Sequence, residues 1–167
     1  VEPQVSAKLL QLEFAIDTAE SLPLPSGFVR QMLINLLLNA IAATPSGGLV
    51  RVTAHEDDSQ LTLVVANAGE PPSAEILAHL FEPFVSGREG GHGLGLWVSY
   101  QTVSQLGGRI AVECRDGEVR FLINLPLQRE VSAHPAKVGV TEGNPFFGTG
   151  AMKCPAAGTA NIEENRT

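Results

Sequence analysis

The 167-residue chain is poor in charge, and in basic residues above all. Charged residues make up 17%, and 11 Lys plus Arg stand against 18 Asp plus Glu, for a formal net charge of -7. A pI near 5.0 leaves no diffuse basic surface, so neither nucleic acid nor anionic lipid is expected as a partner. Any anionic ligand must be held by local features. Cysteine is scarce too: Cys114 and Cys154 fit neither a disulfide framework nor a metal-ligand spacing, which points to a reducing compartment. No apolar run reads as long enough to cross a bilayer, and residues 1–6 lack the charged leader and hydrophobic core of a signal peptide. A cytoplasmic domain with no direct membrane insertion is expected.

What is present is globular. With 44% hydrophobic residues, the chain can bury its own core without metal or disulfide staples, and disorder throughout is excluded. Residues 9–16 read as a strand, stopped by Pro23, Pro25 and a Ser-Gly pair. Residues 28–43 contain no Gly or Pro, follow Ser26 as a cap and end at Thr44-Pro45-Ser46-Gly47-Gly48, which predicts a helix. Strands over 49–55 and 60–66 flank a turn at Glu56-Asp57-Asp58-Ser59. A loop over 67–72 leads to a short helix that Ser73 caps and that reaches about Leu80. A glycine-rich stretch follows, then a helix over 94–106 stopped by Gly107-Gly108, then strands over 109–114 and 118–125 around Arg115-Asp116-Gly117. This order predicts an α+β fold: a two-layer α/β sandwich whose mixed, mostly antiparallel sheet carries helices on one face. From Glu130 the periodicity dissolves, so the expected division is 1–129 for the domain and 130–167 for a low-structure tail. That tail reads as a disordered extension or an appended segment; the sharper alternative is a docking peptide around Phe146-Phe147.

Three constellations carry chemistry. Gln31, Asn35 and Asn39 recur every four residues and place a stripe of amides on an otherwise apolar helix. Buried amides need partners, and carboxamide oxygens suit a hard cation such as Mg²⁺ that keeps several waters. Gly90-Gly91-His92-Gly93-Leu94-Gly95-Leu96 runs into the next helix, where glycines and free first-turn amides can approach a phosphate. The run follows no strand, as a dinucleotide fingerprint would, and no Gly-Lys-Ser/Thr completes a Walker loop. Asn67, in Ala66-Asn67-Ala68-Gly69-Glu70-Pro71-Pro72, offers a donor and an acceptor that match the edge of adenine, or else simply supports a turn.

Taken in order, these residues resemble the ATP-binding catalytic domain of sensor histidine kinases, a family within the superfamily of gyrase, heat-shock chaperones and mismatch-repair ATPases. Asn35-Leu36-Leu37-Leu38-Asn39-Ala40 is similar to its N box, Asn67-Ala68-Gly69 to its first glycine box, Phe81-Glu82-Pro83-Phe84 to its F box and Gly91-His92-Gly93-Leu94-Gly95-Leu96 to its second glycine box. The resemblance implies that ATP lies between the helix layer and a lid loop, and that Asn39 coordinates Mg²⁺ on its phosphates. Asn35 is placed near the phosphates or metal, at the position where hydrolysing relatives carry a water-activating glutamate. An amide cannot take that proton, so slow hydrolysis is expected. Gly93 and Gly95 would bring amides to the triphosphate, with Gly91, His92, Leu94 and Leu96 beside them. Gly69 would let the chain pass close to adenine, Phe84 closes the F box, and Arg88 is the side-chain phosphate contact.

Asn67 stands where many members have Asp, which implies weaker or less base-selective binding; Pro71 replaces the second glycine of its box, and His92 stands where Thr or Ser is common. The implied partners are a helical dimerisation domain bearing a phosphoacceptor histidine, for which there is no room before Leu9, and a response regulator downstream. None of His55, His79, His92 and His134 is assigned as that acceptor. A non-catalytic nucleotide-binding or docking module, and a serine kinase acting against a sigma factor, are the alternative readings.

Overall fold

The computed structural model describes residues 8–57, 59–87 and 92–127. The expected boundary near residue 129, the tail, Arg88 and Gly91 lie outside the described residues. The elements in chain order are β1 (Gln11–Asp17), α1 (Ser26–Ala43), β2 (Leu49–Glu56), β3 (Gln60–Ala68), α2 (Ala74–Ala78), α3 (Gly95–Gln105), β4 (Arg109–Arg115) and β5 (Glu118–Pro126). They form one five-stranded sheet in the order β1-β2-β3-β5-β4, parallel between β1 and β2 and antiparallel elsewhere. The expected mixed, mostly antiparallel sheet with helices on one face is what forms.

The period-2 pattern of the strands explains the two faces. Val52, Val65, Phe121 and Val112 lie in one cross-strand row, all buried, and similar rows of Val, Leu and Ile sit above and below it. The opposite face carries polar pairs. Arg51 bonds Glu13 on β1 at 2.9 Å and Glu118 on β5 at 3.4 Å, and Arg120 reaches Glu118 at 2.7 Å. Hydrogen bonding and charge from Glu13 and Glu118 hold the Arg51 guanidinium above its ordinary pKa.

α1 buries Met32, Leu36, Ala40 and Ile41 and packs along α3 and against β3, while α3 packs on β4 and β5. Ser26 is not its cap. The Pro25 carbonyl accepts from the amides of Phe28 and Val29, so Ser26 and Gly27 already belong to the helix. At the other end Lys8 Nζ donates to the carbonyls of Ile41, Ala42 and Thr44 at 3.1, 3.0 and 2.9 Å. These are among the carbonyls that a helix end leaves without intrahelical partners. By length and mean hydropathy, 18 residues at 1.2, this helix is apolar enough to cross a membrane, contrary to expectation; in this fold it packs on the sheet.

One further expectation changes. Asn67 falls inside β3, not in the loop after it, paired across to Val50 on β2 and Val119 on β5. Cys114 is buried in β4. Every residue of β1 is exposed. Leu12, Phe14 and Ile16 pair with the buried Val50, Val52 and Ala54 and so extend the core-facing rows, yet no helix among the described residues covers them.

Candidate functional site

The ends of α1, β3 and α3 converge on a cavity of about 760 Å³, within the range of small-molecule and cofactor sites. Asn35, Leu38, Asn39, Ala42 and Ala43 line it from α1, Asn67 from β3, and Gly93 to Leu96 from the start of α3. Glu70, Pro72, Ile76, Leu80, Val85, Ser86, Gly87 and His92 form the remaining wall, and Val119 and Phe121 close the floor. Asn39 of the amide stripe, Asn67 near the end of β3 and Gly93 before the helix start, 26 residues or more apart in sequence, therefore share one space.

Within the stripe, Gln31 Nε2 donates to Asn35 Oδ1 at 3.1 Å. Gln31 itself is exposed and does not reach the cavity, so it orients Asn35 instead of meeting a ligand. α3 opens at Gly95 with no side-chain cap on its first turn and no acidic residue in that turn. Its free first amides carry the positive end of the helix dipole. Gly95 lies against Asn35, where a Cβ would make ordinary contact at 3.8 Å.

Gly93 is required sterically. At φ +64°, a Cβ there would meet the Phe84 and Val85 backbone at 2.5 Å, and Phe84 N donates to Gly93 O at 3.2 Å. This contact joins the Phe81-Glu82-Pro83-Phe84 segment to the glycine-rich run. Phe84 itself sits at φ +68° with its side chain 77% exposed, so the structure does not bring that ring to the cavity as expected. Phe81 instead stacks on Tyr100 of α3, ring centroids 5.6 Å apart. Gly69 also stands outside the lining. Its φ of +147° and the Ala43 carbonyl 3.2 Å from a would-be Cβ account for the glycine.

Asn67 is 2% exposed. Nδ2 donates to the Ala68 carbonyl at 3.1 Å, while Oδ1 is buried with no hydrogen-bond partner. A buried acceptor left unmatched is unfavourable, so this atom fits a ligand that brings a donor. Glu70 is the one charged residue among the described lining residues. No Lys or Arg among them is available to neutralise an anion. Among the described residues, the α3 amides are what a polyanion would meet.

Val119, Phe121, Ile76 and Leu80 went unrecognised in the sequence as site residues. Ile76 and Leu80 are four apart and carry a helical signal, whereas Val119 and Phe121 show only the alternation of any core strand.

The chain belongs to the histidine kinase-, DNA gyrase B- and HSP90-like ATPase family, whose pattern matches residues 26–129. It is thus an ATP-binding domain, and within the family it is similar to sensor histidine kinases. It is 34% identical over 129 residues to sensor histidine kinase ZraS of Escherichia coli (strain K12), covering 76% of this chain and 28% of ZraS. It is 38% identical over 99 residues to the C4-dicarboxylate transport sensor protein DctB of Rhizobium meliloti (strain 1021), covering 58% of this chain and 16% of DctB. The chain thus spans less than a third of the length of these relatives. In structure it matches a nucleotide-free form of the catalytic domain of histidine kinase ThkA, with a TM-score of 0.69 and 28% identity over 75% of this chain and 84% of that one. Full-length ShkA in complex with AMPPNP matches with a TM-score of 0.62 and 30% identity, over 75% of this chain and 27% of ShkA.

Proposed function

We propose that this chain is the ATP-binding catalytic domain of a two-component sensor histidine kinase. It would bind Mg·ATP and donate the γ-phosphoryl group to a histidine on a helical dimerisation domain, leaving ADP and a phosphohistidine. A response regulator then receives the group. The observation that carries this reading is the convergence of the Asn35/Asn39 stripe, the uncapped start of α3 and the unsatisfied Asn67 amide on one cavity. Residues up to 129, the limit shared by the family match, form this domain, and 130–167 lie outside it. Because ATP is a cytoplasmic metabolite, the domain works on the cytoplasmic side.

Asn67 would meet the base, while Gly93, Gly95 and the first amides of α3, flanked by His92, Leu94 and Leu96, hold the phosphates. Arg88 and Gly91 belong to the same phosphate-binding segment by sequence, with Arg88 as its cationic contact. Asn39 would hold Mg²⁺ through its carboxamide oxygen. Among the described residues there is no cluster of three acidic, His or Cys side chains suited to a metal. A site with few protein ligands suits an ion that keeps its waters and binds through phosphate oxygens. Bound there, Mg²⁺ would neutralise charge on the transferring group. Asn35, restrained by Gln31, has no basic oxygen to deprotonate water. The γ-phosphate is thus preserved for transfer.

Titration of the purified chain with ATP, with and without Mg²⁺, tests binding; adding the separate helical domain with labelled ATP tests transfer. Acid-labile phosphohistidine is expected, and phosphoserine would favour the serine-kinase reading. Asn39→Asp should weaken Mg·ATP binding by about tenfold or more, and unchanged metal-dependent affinity would remove the role assigned to Asn39.

A further inference from the structure

We infer that the site admits 6-oxopurine nucleotides as well as ATP, with a preference for ATP that is set by one hydrogen bond, from the Asn67 amide to the Ala68 carbonyl. The inference rests on the nucleotide-binding reading above and names the substrate class that Asn67 selects.

Asn67 is held at its backbone by strands on both sides, Val50 on β2 and Val119 on β5, and it ends the core-facing series Leu61, Leu63, Val65. Its Cα and Cβ are therefore placed by the sheet. The freedom that remains is in its two side-chain torsions, the second of which turns the carboxamide. That group has two N–H donors and one acceptor oxygen. One donor is engaged on Ala68 O at 3.1 Å, and Oδ1 is buried without a partner.

The two purine edges present opposite signs at the atoms such a side chain can read. Adenine offers an exocyclic amine donor beside an unprotonated ring nitrogen. A 6-oxopurine offers a carbonyl acceptor beside a ring N–H. In its present orientation Asn67 leaves Oδ1 for a donor, which suits the adenine amine. Turned by half a rotation, the same amide offers N–H to the 6-oxo group and Oδ1 to the ring N–H. A carboxylate at this place has no such second state, because it only accepts: whichever way it turns, the oxygen that meets the 6-substituent takes the adenine amine but faces a 6-oxo group with like sign.

The rotation has a definite cost: the bond to Ala68 O is lost, and an oxygen replaces a donor beside that carbonyl. One neutral hydrogen bond corresponds to about tenfold in affinity. The pocket is thus a graded purine reader. No charge on Asn67 excludes the oxo form, and the Ala68 carbonyl biases the amide toward the amino form.

Equilibrium binding of ATP and inosine triphosphate to the purified chain, with Mg²⁺ and without any phosphoacceptor domain, decides the matter, since the two differ only at the atoms Asn67 would read. Inosine triphosphate is expected to bind about tenfold more weakly than ATP. In Asn67→Asp the gap should exceed about a hundredfold, and in Asn67→Ala it should close to about twofold with both affinities reduced. Thermal melts of each variant show that the sheet is retained. Saturable ATP binding with inosine triphosphate more than about a hundredfold weaker in the unaltered chain overturns this inference and leaves the nucleotide reading standing. Absence of ATP binding overturns both. An unchanged ATP-to-inosine-triphosphate ratio in folded Asn67→Ala also overturns it, assigning the discrimination elsewhere.

Discussion

At the scale of single residues, steric exclusion and hydrogen-bond matching control the site more than formal charge does. Gly93 has no room for a Cβ, and its backbone lies in the left-handed region. Gly93→Ala should therefore lower stability by about 2 kcal/mol or more and loosen the junction with Phe84; denaturant melts and nucleotide titration of the variant check both. The glycine was legible in the sequence as a phosphate-loop residue. Its actual constraint, the Phe84–Val85 backbone, was not, because that contact is made across a loop. His79 and Glu82 provide a second single-residue case. Their 2.8 Å contact, a hydrogen bond reinforced by opposite charge, raises the His79 pKa above the ordinary histidine value. The sign follows from linkage: this pair's contribution is fully present below the ordinary histidine pKa and is lost as pH rises through the raised value. An NMR titration should find His79 above the ordinary value, and Glu82→Gln should bring it down.

Among the elements, α1 shows how local signals and tertiary contacts divide the work. Its existence follows from sixteen residues free of Gly and Pro and from the dense stop at Thr44 to Gly48. Its start does not, since Pro25 supplies a carbonyl to two amides and draws Ser26 and Gly27 into the helix. Its end is held by Lys8, 33 to 36 residues away in sequence. An ammonium spanning three terminal carbonyls also opposes the negative end of the helix dipole. Lys8→Met, which keeps the apolar stem, should cost about 1 kcal/mol and lower Tm by several degrees; a melt indistinguishable from the unaltered chain would reduce this contact to a surface ornament. The same helix supplies Asn35 and Asn39. Their spacing made them visible, since residues four apart share a helix face whatever the remaining fold.

For the whole molecule, sheet order determines which apolar residues form the core. Phe14, Val52, Val65, Phe121 and Val112 occupy one row across five strands. Phe121 in that row is 2% exposed and Phe14 is 61% exposed. Phe121→Ala should cost about 3–5 kcal/mol, while Phe14→Ser should cost about 1 kcal/mol or less. Chemical denaturation of the two variants checks the contrast, and equal losses would mean that β1 is covered in solution. By itself, the sequence determined the element types, the two hairpins and the residue classes of the nucleotide-binding boxes, because helical period, strand alternation and turn chemistry are local. Only the tertiary structure decided that β5 inserts between β3 and β4, which places Val119 and Phe121 beneath the cavity. It also decided that Asn67 lies within a strand with an unsatisfied oxygen and that Phe84 is exposed and does not line the cavity. The reason is physical: a hydrogen-bond deficit, a burial or a Cβ clash belongs to groups brought together by folding, and no local pattern records which groups those will be.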